Sequence, residues 1–234
     1  MTIPMSLSDT SSMSSRSSIT LLLGGVRAGK SARALALAES LVEPKTGRQT
    51  GRPDADLLWF VATAQAFDDE MVRRIAAHRA ERAERWHTIE EPVALVATLE
   101  AALASAAESP RAIVIDCLTL WVSNLLLASD DIAHTEGRIE GHIAERAAAL
   151  MALMQRTSSA HWILVSNEVG LGVVPPTPLG RVYRDALGRV NQVVAAAADT
   201  VELMVAGLVI PLKTPTGKSI TATAESPAQD APRS

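Results

Sequence analysis

With 234 residues the chain is long enough for one α/β domain with a full core. Its 22 Lys and Arg against 26 Asp and Glu leave a formal net charge of −4, and only 3% of residues are aromatic, which excludes the basic footprint and stacking surface of a nucleic-acid binder. The single cysteine, Cys117, excludes an intramolecular disulfide and points to a reducing, cytoplasmic setting, and no apolar run approaches the ~18 residues that a membrane span needs.

Residues 1–17 are serine-rich and lack a long apolar stretch, so they are predicted to be a disordered extension rather than a signal peptide. An apolar run over 19–23 predicts a strand, and a helix is predicted over 31–41. Between them stands Gly24-Gly25-Val26-Arg27-Ala28-Gly29-Lys30-Ser31, the G-x-x-x-x-G-K-[ST] pattern in its strand–loop–helix context. The glycines let the backbone turn its N–H groups toward phosphate oxygens, and the helix N-terminus adds a partial positive charge. Lys30 reaches the β/γ-phosphates of a nucleoside triphosphate, and the Ser31 hydroxyl suits Mg²⁺.

Downstream, strands are predicted over 57–62, 86–89, 112–116, 162–166, 200–205 and 208–212, and helices over 68–82, 93–107, 120–127, 139–156 and 179–198. This alternation predicts an α/β fold with a mostly parallel sheet flanked by helices. Residues 44–56 are polar and Gly/Pro-marked and read as a surface loop; residues 214–234 read as a disordered tail. The ordered domain is thus expected over 18–213. Ligands of such sheets bind at the carboxyl ends of the strands. Asp116 ends one apolar strand and suits a second Mg²⁺ anchor, direct or through water, with a helix N-cap as the alternative. Asn167 and Glu168 end another; they either cap a turn or face phosphates. Cys117 reads as a small buried hydrophobe.

The helix over 68–82 opens with Asp68-Asp69-Glu70 and runs into Arg73, Arg74, Arg79 and Arg82. Phe67, Met71, Ile75 and His78 share one face of it. Arginines around His78 suit a phosphate-bearing ligand and disfavour the charged ring, leaving a nitrogen free as a nucleophile. On these residues alone an ordinary core or surface histidine is the simpler reading.

The whole set of segments resembles the bifunctional adenosylcobinamide kinase/adenosylcobinamide-phosphate guanylyltransferase family. The resemblance rests on the phosphate loop, on Ala62-Thr63-Ala64-Gln65, on Arg74-Ile75-Ala76-Ala77-His78-Arg79 and on Asp116-Cys117-Leu118-Thr119-Leu120-Trp121. It is most specific in Asn167-Glu168-Val169-Gly170 together with Gly188-Arg189-Val190-Asn191-Gln192. It implies a P-loop NTPase with a RecA-like sheet, assembled as a homotrimer. It also implies two reactions: ATP or GTP phosphorylates adenosylcobinamide, then GTP donates GMP to adenosylcobinamide phosphate through a covalent GMP–histidine, matched here by His78. The nucleotide contacts carried over are Gly24, Gly25, Val26, Arg27, Ala28, Gly29, Lys30, Ser31, Thr63, Ala64, Gln65, Arg79, Ala80, Glu81, Arg82, Glu90 and Asp116. Among these, Glu90 is the candidate for accepting from the guanine N1–H and amino group. Asp116 stands where enterobacterial members have a glutamate, so metal contact through water is expected, and Ala77 replaces a second histidine. A P-loop small-molecule kinase without nucleotidyl transfer and a RecA-like ATPase module are the competing readings.

Overall fold

The structure, a computed structural model, describes residues 17–42, 57–65, 86–129, 136–157 and 160–215. The loop over 44–56, the helix expected over 68–82, residues 1–16 of the extension and residues 216–234 of the tail lie outside the described residues.

Strand β1 (Ser18–Gly24) leads through the glycine loop into α1 (Lys30–Ser40) and on to β2 (Leu58–Ala62) and β3 (His87–Glu90). Helix α2 (Leu95–Ser105), β4 (Ala112–Asp116), α3 (Leu118–Leu127) and α4 (Glu136–Arg156) follow, then β5 (His161–Val165), α5 (Pro178–Ala197), β6 (Thr200–Val205) and β7 (Leu208–Lys213). The seven strands form one sheet in the order β3-β2-β4-β5-β1-β6-β7, parallel throughout except for the antiparallel β6–β7 pair. One strand, β5, stands between the glycine-loop strand β1 and the acid-terminated strand β4. That is the arrangement expected of a RecA-like sheet.

Both faces of the sheet are covered, which is why its central strands are mostly apolar. Leu22, Val114 and Val165 pack toward α1, with Ala34 and Ala38 on the helix side. Leu21, Leu23, Ile113 and Leu164 pack on the opposite face against α2–α5. The crossover after β1 therefore runs over one face and the α5 crossover from β5 to β6 over the other. They diverge at β1, and a crevice opens at its carboxyl end.

Local chemistry sets the ends of the elements. The Thr177 hydroxyl accepts from the Gly180 amide and Pro178 occupies the first turn, so α5 starts with a capped N-terminus. Its last turn is closed by Lys213, whose Nζ donates to the Ala195 and Ala196 carbonyls. Ala206 and Gly207, with φ of 52° and 80°, make the two-residue turn between β6 and β7. Positive φ at both central positions is the twist-compatible hairpin geometry. The outer strand β7 carries Pro211, which a ladder tolerates at an edge.

Candidate active site

The glycine loop is shaped by two close approaches. Gly24 has φ +148°, and a Cβ there would lie 2.4 Å from the Met204 carbonyl of β6, so only glycine fits. Gly29 has φ +97° and is the N-cap of α1. Its left-handed conformation starts the helix at Lys30, one residue before the expected start. The loop is further tied by the Glu168 amide, which donates to the Gly24 carbonyl at 3.3 Å, and by the Gly207 amide, which donates to the Ala28 carbonyl at 3.2 Å.

Lys30 is buried, and its ammonium donates to the Gly24 and Gly25 carbonyls at 3.1 and 2.7 Å. Burial lowers its pKa from the ordinary lysine value, opposed by the negative charge of the Cys117 thiolate form and of Asp116. The parallel strand order places Asp116, Cys117 and the loop that leads into Lys30 at one end of the sheet. The register agrees: Glu90, Ala62, Asp116, Val165, Leu22 and Glu202 form one row across six strands. Residues in one row of a parallel sheet project from the same face, here the face covered by α1. Glu202 in that row is held by Arg33 of α1 through two bonds of 3.0 Å. Glu90 lies two strands beyond Asp116, about 10 Å away at the usual strand spacing.

Asp116 is not the cap of α3; that position falls to Cys117, in extended conformation and without a side-chain cap bond. Thr63 fixes this corner. Its hydroxyl donates to the Cys117 carbonyl at 2.7 Å and accepts from the Cys117 amide at 2.8 Å. The Thr63 side chain is fully buried and committed to the Asp116–Cys117 corner, while Ala64 and Gln65 follow it half-buried at the strand end. Buried Asn124 of α3 donates to the Thr63 and Pro92 carbonyls. Burial pushes the Cys117 thiol up to about 11, which keeps it protonated and unreactive. Tyr183 is pushed up to about 12, by burial first and then by Cys117, and its hydroxyl donates to the Thr119 carbonyl.

At the end of β5, Glu168 caps a turn: its Oε1 accepts from the Gly170 amide at 2.9 Å. Asn167 is held by its backbone, the amide donating to Thr119 Oγ1 and the carbonyl accepting from Asn191 Nδ2. Asn191 Oδ1 in turn accepts from the buried Ser166 hydroxyl at 2.7 Å. Thr119, Asn124, Ser166 and Asn191 carried no assigned role in the sequence reading. For Thr119 and Asn124 a signal was available, since each is a polar residue within a largely apolar helix, the pattern of a buried group with a dedicated partner. His78, Arg79, Ala80, Glu81 and Arg82 lie outside the described residues.

Ser31 at the start of α1 and Asp116 offer hard oxygen donors, a set that suits Mg²⁺. Among the described residues no group of three or more His, Cys, Asp or Glu converges to cage a metal alone.

A phosphate loop at the carboxyl end of β1, its helix, and an acid on a strand once removed define a P-loop nucleotide-binding protein of the α/β class. The profile described as cobinamide kinase / cobinamide phosphate guanyltransferase matches residues 20–212, and the chain belongs to that family. It is 46% identical over 193 residues to the bifunctional adenosylcobalamin biosynthesis protein CobP of Pseudomonas aeruginosa, covering 82% of this chain and 96% of that one. It is 38% identical over 197 residues to the protein named CobU of Salmonella typhimurium, and 36% over 198 residues to that of Escherichia coli. Each of these alignments covers 82% of this chain and 98% of the relative.

Proposed function

We propose that this protein carries out both steps of its family: phosphorylation of adenosylcobinamide, then transfer of GMP from GTP to adenosylcobinamide phosphate, within cobalamin biosynthesis. The observation that carries the reading is the family match over residues 20–212, supported by a glycine loop and an acid-terminated strand that end at the same edge of the sheet.

In the kinase step the cobinamide hydroxyl oxygen attacks the γ-phosphorus of ATP or GTP. The bond to the β-phosphate oxygen breaks, the nucleoside diphosphate leaves, and the hydroxyl proton is released. Lys30 exchanges the Gly24 and Gly25 carbonyls for phosphate oxygens, and the loop amides and α1 N-terminus stabilise the charge on the leaving oxygen. Ser31 and Asp116 would hold Mg²⁺, which supplies charge neutralisation on the phosphates. In the second step a neutral His78 ring nitrogen attacks the α-phosphorus of GTP, forming a phosphoramidate and releasing pyrophosphate. A phosphate oxygen of adenosylcobinamide phosphate then attacks that phosphorus, the P–N bond breaks, and His78 is regenerated. Arg79 and Arg82 neutralise phosphates in this step; Glu90 selects guanine. The His78 role rests on the family resemblance and on its arginine-rich surroundings in sequence.

We also infer a homotrimer in the cytoplasm. Support comes from the family resemblance, from the single cysteine and the triphosphate substrates, and from exposed apolar side chains such as Leu171, Val173 and Leu208. Labelling with α-³²P GTP tests the transfer step: wild type acquires an acid-labile, alkali-stable adduct and His78→Ala does not. Equal label on both proteins would refute His78, and no label on wild type with intact GTP binding would leave the kinase alone. Sedimentation equilibrium tests the trimer.

A further inference from the structure

On the sheet face opposite α1, a groove of about 580 Å³ runs between the first half of α4 and the middle of α5, and reaches Gly170 in the loop after β5. Two interior helical glycines line it, Gly141 on α4 and Gly188 on α5. A Cβ at either would meet nothing within 4 Å, so packing inside the protein does not call for glycine at these positions. Each still costs the helix about 1 kcal/mol relative to alanine. Bare backbone on both walls suits the close approach of a broad, flat ligand.

The lining mixes Arg184 and Arg189 with Glu140 and Asp185, and adds the amide of Gln192. Arg184 is engaged by its neighbour Asp185 at 2.9 Å, while the exposed Arg189 has no ion pair or hydrogen bond among the described residues. This balanced charge is poor for a polyanion such as a nucleoside triphosphate. It suits a macrocycle fringed with neutral amides, which donate and accept in turn. The groove is also tied to the phosphate loop. Asn191, beside Gln192, bonds Ser166 and Asn167 at the end of β5, and Glu168 bonds Gly24.

We propose that this groove seats the amide-fringed corrin ring of the cobinamide substrate, with Gly141 and Gly188 admitting the ring and Arg189 donating to its amide carbonyls. The nucleotide then approaches from the α1 side and the corrinoid from the α5 side, and the substrate's hydroxyl arm crosses the rim at Glu168 and Gly24. The inference rests on the function proposed above.

The test measures KM for adenosylcobinamide in the kinase reaction, KM for the nucleotide, and solution mass, for wild type, Gly188→Leu and Arg189→Ala. Leucine is a better helix former than glycine and has room at Cβ, so Gly188→Leu folds, as circular dichroism would verify. The expected result is a rise of about tenfold or more in the cobinamide KM for each variant, with the nucleotide KM unchanged, because one loses a charged hydrogen-bond donor and the other puts a side chain where the ring would lie. Cobinamide KM values within twofold of wild type would overturn the groove assignment alone. So would a changed mass at unchanged cobinamide KM, which would make the groove a contact between copies. A wild-type protein that never phosphorylates cobinamide would overturn the function and this inference together.

Discussion

Replacing Thr63 by valine keeps the shape of a fully buried side chain and deletes one hydroxyl. That hydroxyl satisfies both polar groups of Cys117, accepting from its amide at 2.8 Å and donating to its carbonyl at 2.7 Å. The variant leaves the Cys117 N–H without this partner, while the carbonyl keeps the bond from the Trp121 amide at 3.2 Å, so Thr63→Val should lose about 1–3 kcal/mol. For a domain of this size each kcal/mol shifts Tm by about 2–4 °C, so the midpoint should fall by roughly 2–12 °C. Thr63→Ser restores the hydroxyl at the cost of one methyl group and should recover most of the loss. The corner also positions Asp116, so nucleotide affinity at a temperature where the variant stays folded should weaken along with stability. Urea unfolding of the three proteins, paired with GTP titrations, is the assay. A valine variant within about 0.5 kcal/mol of wild type, the range of an uninvolved surface substitution, would refute the claim that this hydroxyl holds the corner.

Lys30→Met retains the length of the side chain but removes the ammonium that replaces loop carbonyls with phosphate oxygens; GTP affinity should drop at least tenfold, about 1.4 kcal/mol, by equilibrium binding. Gly24→Ala forces a Cβ against the Met204 carbonyl at φ +148°, and should cost about 1–3 kcal/mol or more in thermal melts while impairing nucleotide binding. His161 is held between Ser18 Oγ and Thr20 Oγ1, and burial lowers its pKa from 6.5 against the opposing charge of Asp199. The unfolded chain thus binds the proton more readily, so the His161 contribution is complete above pH 6.5 and is lost as pH falls below it. Urea midpoints at pH 7 and 5 should fall more for wild type than for His161→Gln; equal falls would refute the assignment.

What was legible in the sequence was whatever local pattern decides. The glycine loop announces itself in eight consecutive residues, and the apolar strand before Asp116 gives that acid away. The expected strand over 112–116 coincides with β4, and the other expected elements that fall among the described residues lie within a few residues of their observed bounds. The misplacements have tertiary causes. Strand β5 starts at His161 because the ring is captured by β1, and stops before Ser166, whose hydroxyl belongs to Asn191. Helix α3 starts at Leu118 rather than 120, since both Leu118 and Thr119 are drawn into the interior. The pairs that fix the site, Thr63 with Cys117 and Ser166 with Asn191, join residues far apart in the chain. No local pattern records such a partner, although the family-specific motifs contain several of the residues involved.

The hairpin at the far end of the chain has a consequence for biosynthesis of the protein itself. Gly24 owes its conformation to the Met204 carbonyl, and Ala28 is clasped by Gly207. A ribosome therefore releases the phosphate-loop sequence long before the strand that moulds it exists. Until residues beyond 200 dock beside β1, the loop lacks the Met204 wall against Gly24 and the bond from Gly207 to Ala28. Competence to bind nucleotide should thus be acquired late, and a chain truncated before residue 200 should bind GTP more weakly than the full chain in equilibrium titrations.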